Sequence, residues 1–144
     1  MAGRGTLISL ILSLGLILAT DARCDDVVIT VPRYHGYVTK LSQQALTAIF
    51  GMRLTVWPDG TPIRVFVFPD DAPVHAQCCK QVLHVFPHQM RAAWDRLVFS
   101  GTGQAPEIVT SPHEMKSRLE QTPGAIGYLT KEFIDDSVSI LSLY

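Results

Sequence analysis

The chain has 144 residues, a formal net charge of −1, and hydrophobic residues at 47% of its positions. Nucleic acids and anionic membrane surfaces are bound by clustered Lys and Arg, and this chain has no such cluster, so its composition excludes both as partners. We find no internal repeat and no low-complexity tract.

Residues 1–22 have the pattern of a secretory signal peptide. Arg4 supplies the positive charge, residues 7–19 form the apolar run, and a small-x-small cleavage site ends at Ala22. The apolar run is shorter than the roughly 20 residues that a spanning helix needs, although an uncleaved N-terminal anchor is the alternative. We therefore expect export to the periplasm, with cleavage after Ala22.

The remaining residues 23–144 are predicted to form a single domain. Cys24 is not expected to carry a lipid anchor, because Arg23 stands where a lipoprotein signal requires a small residue.

The first predicted elements are a strand at residues 27–31 and a helix capped by Ser42. Gly51 follows the helix, where a residue that tolerates the left-handed conformation is favoured. One face of this helix is apolar, formed by Ala45, Leu46, Ile49 and Phe50.

A turn at residues 57–60 leads into a second predicted strand, residues 63–68. The next helix is predicted to start at Pro73 and to end before Pro87. Its apolar stripe is formed by Val74, Cys78, Val82 and Val85.

The second half of the chain alternates in the same way. An amphipathic helix carries an apolar stripe formed by Met90, Ala93, Trp94, Leu97 and Val98, with Arg91 and Asp95 as an i,i+4 pair. A short strand at residues 107–110 and a helix capped by Ser111 follow. Strands are predicted at 125–129 and 138–143, which makes this an α/β domain with a mixed or parallel sheet flanked by helices.

Several segments resemble the periplasmic phosphate-binding subunits of ABC transporters, in particular short relatives with about one lobe. They are Leu-Ser at 41–42, Ile-Phe-Gly at 49–51, Trp-x-Asp-Gly at 57–60, the Trp94 to Gly101 segment, and Thr-Pro-Gly-Ala-Ile-Gly-Tyr at 122–128. The resemblance implies one lobe of a type II periplasmic binding fold, whose relatives close two lobes over a ligand.

The resemblance places a phosphate loop at the start of the helix after strand 63–68, which makes Ala72, Val74 and His75 the candidate ligand-binding residues. The Ser-Gly-Thr of that loop is not matched here. Pro73 lacks an N–H donor, Ala72 and Val74 lack hydroxyls, and two carboxylates, Asp70 and Asp71, would repel an anion. A second Ser-Gly-Thr, residues 100–102, follows a helix and is interpreted as its glycine cap and turn.

Histidine and cysteine residues suggest a different function. His75 and Cys79 are four residues apart on one helix, a spacing that allows both to bind zinc or copper. Cys78 lies on the apolar stripe and is interpreted as a core residue, while Cys79 is also able to form a disulfide with Cys24 in the periplasm.

We therefore expect an exported, non-enzymatic, solute-binding-like module without a cofactor. It would bind a small phosphate-like anion or a periplasmic or membrane protein, and a homodimer would be one way to rebuild a two-lobed cleft. The alternatives are a metal-binding or redox-responsive protein built on His75, Cys78 and Cys79, or an interaction module with no small ligand.

Overall fold

The computed structural model describes residues 26–34, 36, 38 and 40–144. The predicted signal peptide and Cys24 lie outside the described residues. The described residues form seven strands, in chain order β1 (Val27–Pro32), β2 (Lys40–Leu41), β3 (Arg64–Val67), β4 (Glu107–Ile108), β5 (Ala125–Thr130), β6 (Val138–Ile140) and β7 (Ser142–Leu143).

Five of these strands form one mixed sheet in the order β4-β3-β5-β1-β6. β3 runs parallel to β4 and β5, whereas β1 runs antiparallel to β5 and β6. Helices accompany the sheet: α1 (Gln43–Phe50), α2 (Pro73–Gln77), α3 (Pro87–Phe99), α4 (Pro112–Gln121) and a short 3₁₀ helix (Lys131–Phe133). The predicted α/β class with a mixed sheet and flanking helices is confirmed.

The caps of α1 show one success and one error of the sequence prediction. The Ser42 side chain accepts a hydrogen bond from the Ala45 N–H at 3.1 Å, as predicted. Gly51, however, has φ −76°, and the left-handed residue is Met52 with φ 60°. The helix continues its turn through Gly51, because the Gly51 N–H still bonds to the Thr47 carbonyl at 2.9 Å.

The helix that begins at Pro73 departs most from the prediction. After α2 the chain continues as a π-helical segment, Cys78–Leu83, which ends at His84 in the left-handed conformation with φ 55°. A π-helix has more residues per turn than an α-helix and therefore rotates the buried face. The buried side chains are His75, Cys78, Cys79 and Leu83, while Val74, Val82 and Val85 are only partly buried.

Two other predicted features are only partly present. The predicted stripe of α3 buries Met90 and Trp94, but Val98 is 49% exposed. The predicted strand 138–143 is divided at Leu141, so β6 joins the large sheet and β7 pairs in parallel with β2.

Indole groups connect distant parts of the core. The Trp57 indole N–H donates to the Gly124 carbonyl at 3.0 Å, and the Trp94 indole N–H donates to the Phe50 carbonyl at 2.8 Å. None of the helices in the described part of the chain has the length and apolar character needed to cross a bilayer.

Candidate functional site

A cleft lies at the carboxyl ends of the three mutually parallel strands, β3, β4 and β5. We call it the carboxyl-edge cleft. It has a volume of about 440 Å³, and its lining includes Phe68, Val74, Thr110, Leu129, Thr130 and Phe133. Strand ends of a parallel sheet with adjoining helix starts are the usual ligand position in α/β folds.

The lining of this cleft is mostly apolar and has no positive charge. Glu132 is the single ionisable residue among the described residues that line it. The Thr110 hydroxyl donates to the Glu114 carboxylate at 3.0 Å, and the Thr130 hydroxyl donates to Glu132 at 3.3 Å. An inorganic anion placed here would meet a carboxylate and no Lys or Arg side chain, so the electrostatics of the cleft disfavour phosphate.

The three predicted ligand-binding residues lie in different environments. Ala72 precedes α2 with an extended backbone and makes no side-chain cap. Val74 lines the cleft. His75 is 2% exposed and belongs to the core. The structure thus brings only Val74 of the three to the cleft.

His75 belongs to a buried hydrogen-bond network behind the cleft. The Tyr128 hydroxyl oxygen accepts the Phe68 N–H at 2.9 Å and lies 2.6 Å from the His75 Nδ1 atom. The Tyr128 hydroxyl and the His75 Nδ1 atom form a hydrogen bond in which the donor depends on the imidazole tautomer. The Nε2 atom lies 3.6 Å from the Cys79 sulfur.

An ion pair lies over this network. Arg91 donates two hydrogen bonds to the Asp70 carboxylate, at 2.7 and 3.0 Å, and these bonds lower the pKa of Asp70. Burial lowers the pKa of His75, although the Asp70 carboxylate, 3.8 Å from Nε2, opposes this shift. His75 is therefore held neutral at pH 7.

The thiol groups of Cys78 and Cys79, next to His75, are buried and protected from reagents in the solvent. Cys78 is fully buried and Cys79 is 1% exposed, and burial raises the pKa of Cys79 to about 11. Thiols of this kind are protonated at neutral pH and react slowly. Both are free thiols among the described residues. The disulfide considered between Cys79 and Cys24 stays a prediction, because Cys24 lies outside the described residues.

The pair suggested for metal binding, His75 and Cys79, is in contact. A metal site would need at least one more ligand, and the nearest carboxylate, Asp70, already forms an ion pair with Arg91. Within the described part of the chain, no three His, Cys, Asp or Glu side chains are grouped as metal ligands. Metal binding by this pair remains a prediction.

Sequence reasoning did not identify the residue that organises this region. Tyr128 ends the segment 122–128 that resembles phosphate-binding subunits, and its hydroxyl connects β5 to His75 in α2 and to Phe68, the residue after β3. The available signal was its position in a continuously apolar strand, because a buried tyrosine hydroxyl needs a hydrogen-bond partner.

Comparison with known proteins identifies the fold. The chain is similar to an ABC-type phosphate transport receptor from Vibrio cholerae, with 17% identity and a TM-score of 0.64 over 83% of this chain and 46% of the receptor. It is also similar to a putative phosphate ABC transporter substrate-binding protein with bound phosphate from Clostridium perfringens, with 18% identity and a TM-score of 0.64 over 83% of this chain and 45% of that one.

A third similar structure is PstS from Borrelia burgdorferi, with 18% identity, a TM-score of 0.62, and coverage of 83% of this chain and 47% of that chain. No protein-family model and no curated protein matches the chain. The chain thus spans less than half the length of these receptors and shares the fold of that part of them, which confirms the resemblance at the level of fold.

Proposed function

We propose that this chain is an exported, non-enzymatic, solute-binding-like module whose binding face is the carboxyl-edge cleft. The position of the cleft, at the carboxyl ends of β3, β4 and β5 in a fold shared with phosphate receptors, is the observation that carries this proposal. The 17% identity leaves the ligand to be argued from the side chains.

The side chains favour a neutral solute with an apolar surface over phosphate. Apolar residues such as Phe68, Val74 and Leu129 supply most of the lining, and Thr110 and Thr130 are the hydroxyls able to orient a ligand. In this proposal, the open side of the cleft is covered by a second protein surface in the periplasm, either another copy of this chain or a membrane partner.

The chemistry of the cleft also supports the absence of catalysis. Glu132 is the single ionisable side chain among the described residues that line the cleft, so no pair of a general acid and a general base is available there. The Cys79 thiol and His75, which are in contact, are buried behind the cleft rather than within it.

An NMR titration tests this proposal. We expect saturable backbone shifts at cleft residues with neutral probes (indole, pentanamide and glucose), at least one of which should bind, and no saturable shifts there with inorganic phosphate. Val74→Trp places a bulky indole group in the cleft and should abolish those shifts, while Val98→Trp on the exposed surface of α3 is the matched control. Selective, saturating phosphate shifts at the cleft, or neutral-probe shifts that survive Val74→Trp, would contradict the proposal.

The covering surface is tested separately by measuring the mass of the purified protein in solution at increasing concentration. A dimer that the Val74→Trp substitution disrupts would identify a second copy as the cover. A monomer at all concentrations would exclude a second copy as the cover.

A further inference from the structure

A second cavity lies between the end of α1 and the side of α3, and it shares no lining residue with the carboxyl-edge cleft. Its volume is about 500 Å³, which is within the range of small-molecule sites. Its floor is apolar and is formed by Val85, Met90, Ala93 and Leu97. We call it the α1–α3 cavity.

Two arginines line this cavity, and they differ from the other arginines of the described residues. Arg53 and Arg96 form no ion pair with any carboxylate in the described part of the chain, and both line the α1–α3 cavity. The remaining described arginines each lie within 4.0 Å of a carboxylate: Arg33, Arg64, Arg91 and Arg118. The unpaired positive charge of the described arginines is therefore gathered at one concave surface.

Interactions with helix ends do not explain why the guanidinium groups of both Arg53 and Arg96 lie at this cavity. Arg96 lies in the last turn of α3, where a positive charge interacts favourably with the helix dipole. The carbonyl groups at these helix ends already have backbone partners, because Ala48 accepts the Arg53 N–H at 2.9 Å and Leu97 accepts the Thr102 N–H at 3.1 Å. The guanidinium donors are thus not needed to satisfy those carbonyls.

Hydroxyl groups line the same cavity. Ser100 and Thr102, in the Ser-Gly-Thr turn after α3, place their hydroxyl oxygens 2.7 Å apart. The left-handed Gly101 between them, with φ 69°, confirms the predicted turn. The turn therefore ends the helix and also adds polar atoms to the cavity.

We propose that the α1–α3 cavity binds a small organic carboxylate with an apolar body. The apolar floor would bury the body, and Arg53 and Arg96 would donate charge-assisted hydrogen bonds to the carboxylate. Inorganic phosphate offers the charge without the apolar body, and a neutral amide offers the body without the charge. This site goes beyond the proposed function and does not depend on it.

Calorimetric titration of the purified full-length protein with octanoate tests this assignment, with octanamide and inorganic phosphate as matched probes. We expect saturable octanoate binding, and binding at least about tenfold weaker for octanamide and for phosphate. Arg53→Gln and Arg96→Gln should each weaken octanoate binding about tenfold, whereas Arg33→Gln, which removes an exposed arginine elsewhere, should leave it unchanged.

The variants also locate the site. Both arginines are exposed, so circular dichroism should show the native fold in each variant. Val74→Trp should leave octanoate binding unchanged, which separates this site from the carboxyl-edge cleft. Equal binding of octanoate and octanamide, unchanged affinity in both arginine variants, or no octanoate binding at millimolar concentration would each overturn the assignment.

Discussion

Replacing Tyr128 by Phe removes one buried oxygen and tests the central network of the fold. The hydroxyl is the partner of the Phe68 N–H at 2.9 Å and of the His75 Nδ1 atom at 2.6 Å, and the Tyr128 side chain is fully buried. The substitution leaves both of these polar groups without their partner in a region that water does not reach. The ring itself, which packs against Phe50 and Phe68, is retained.

The expected loss of stability follows from these two groups. Leaving a buried donor or acceptor without a partner costs about 1 to 3 kcal/mol, so two groups predict a loss of about 2 to 6 kcal/mol in the free energy of unfolding. At about 4 °C per kcal/mol for a domain of this size, such a loss lowers the melting temperature by about 8 to 24 °C. Urea unfolding followed by tryptophan fluorescence is suitable, because Trp57 and Trp94 are both buried.

Controls separate the network from the substitution itself. Tyr144→Phe changes a side chain of a residue that is 80% exposed, and it should change the free energy of unfolding by less than about 0.5 kcal/mol. With His75 already replaced by Leu, Tyr128→Phe should cost about half as much, because only the Phe68 N–H then loses a partner. A cost for Tyr128→Phe below about 0.5 kcal/mol in the unmodified protein would refute the reasoning.

Three further predictions follow from buried or strained positions. The pKa of His75 is lowered in the folded state, so its contribution to the free energy of unfolding should be complete above the unfolded pKa of about 6.5. The free energy of unfolding should then fall as the pH decreases toward the folded pKa, by at most about 1.4 kcal/mol per pH unit. Urea titrations at several pH values measure this dependence, which a His75→Leu variant should lack. Gly124→Ala should lower the free energy of unfolding by more than about 3 kcal/mol, because the added Cβ would lie 2.1 Å from the Pro62 carbonyl oxygen and the backbone has φ 75°. Gly60→Ala, at φ 90° with open space around it, should lower it by about 1 kcal/mol. Equal melting temperatures for the two variants would contradict this. Because Cys79 is buried and its pKa is raised, it should react with a disulfide reagent at pH 7 only as fast as the protein unfolds. Peptide mass spectrometry measures the rate of labelling. Fast labelling of the native protein would instead favour the redox-responsive alternative.

Elements set by local chemistry were predictable from the sequence. The Ser42 and Ser111 caps form as expected, with the Ser111 hydroxyl accepting the Glu114 N–H at 3.0 Å. The turn at residues 57–60 closes through the Gly60 N–H and the Trp57 carbonyl at 2.9 Å. In each case the residues that determine the geometry are at most three positions apart, so their order in the chain contains the required information.

Elements set by long-range contacts were not predictable in this way. The π-helical segment rotates the buried face toward His75 and Cys79, and helical periodicity at 3.6 residues per turn predicts a different face. The predicted strand 138–143 is divided at Leu141, whose N–H bonds to the Ile29 carbonyl at 2.9 Å. This hydrogen bond joins segments from opposite ends of the described chain, and no local pattern specifies it.

The residues that resemble phosphate receptors explain why the fold was predictable and the ligand was not. Trp57 and Trp94 donate their indole N–H groups to the backbone of residues 67 and 44 positions away, and Tyr128 accepts the N–H of a residue 60 positions away. Each of these aromatic groups is buried and uses its polar atom inside the fold. Recognising them therefore predicts which strands and helices meet, but not the side chains that line the carboxyl-edge cleft. Those side chains contain no positive charge, whereas Arg53 and Arg96, which have no carboxylate partner among the described residues, line the α1–α3 cavity. The ligand chemistry of this chain is therefore best sought at both places independently.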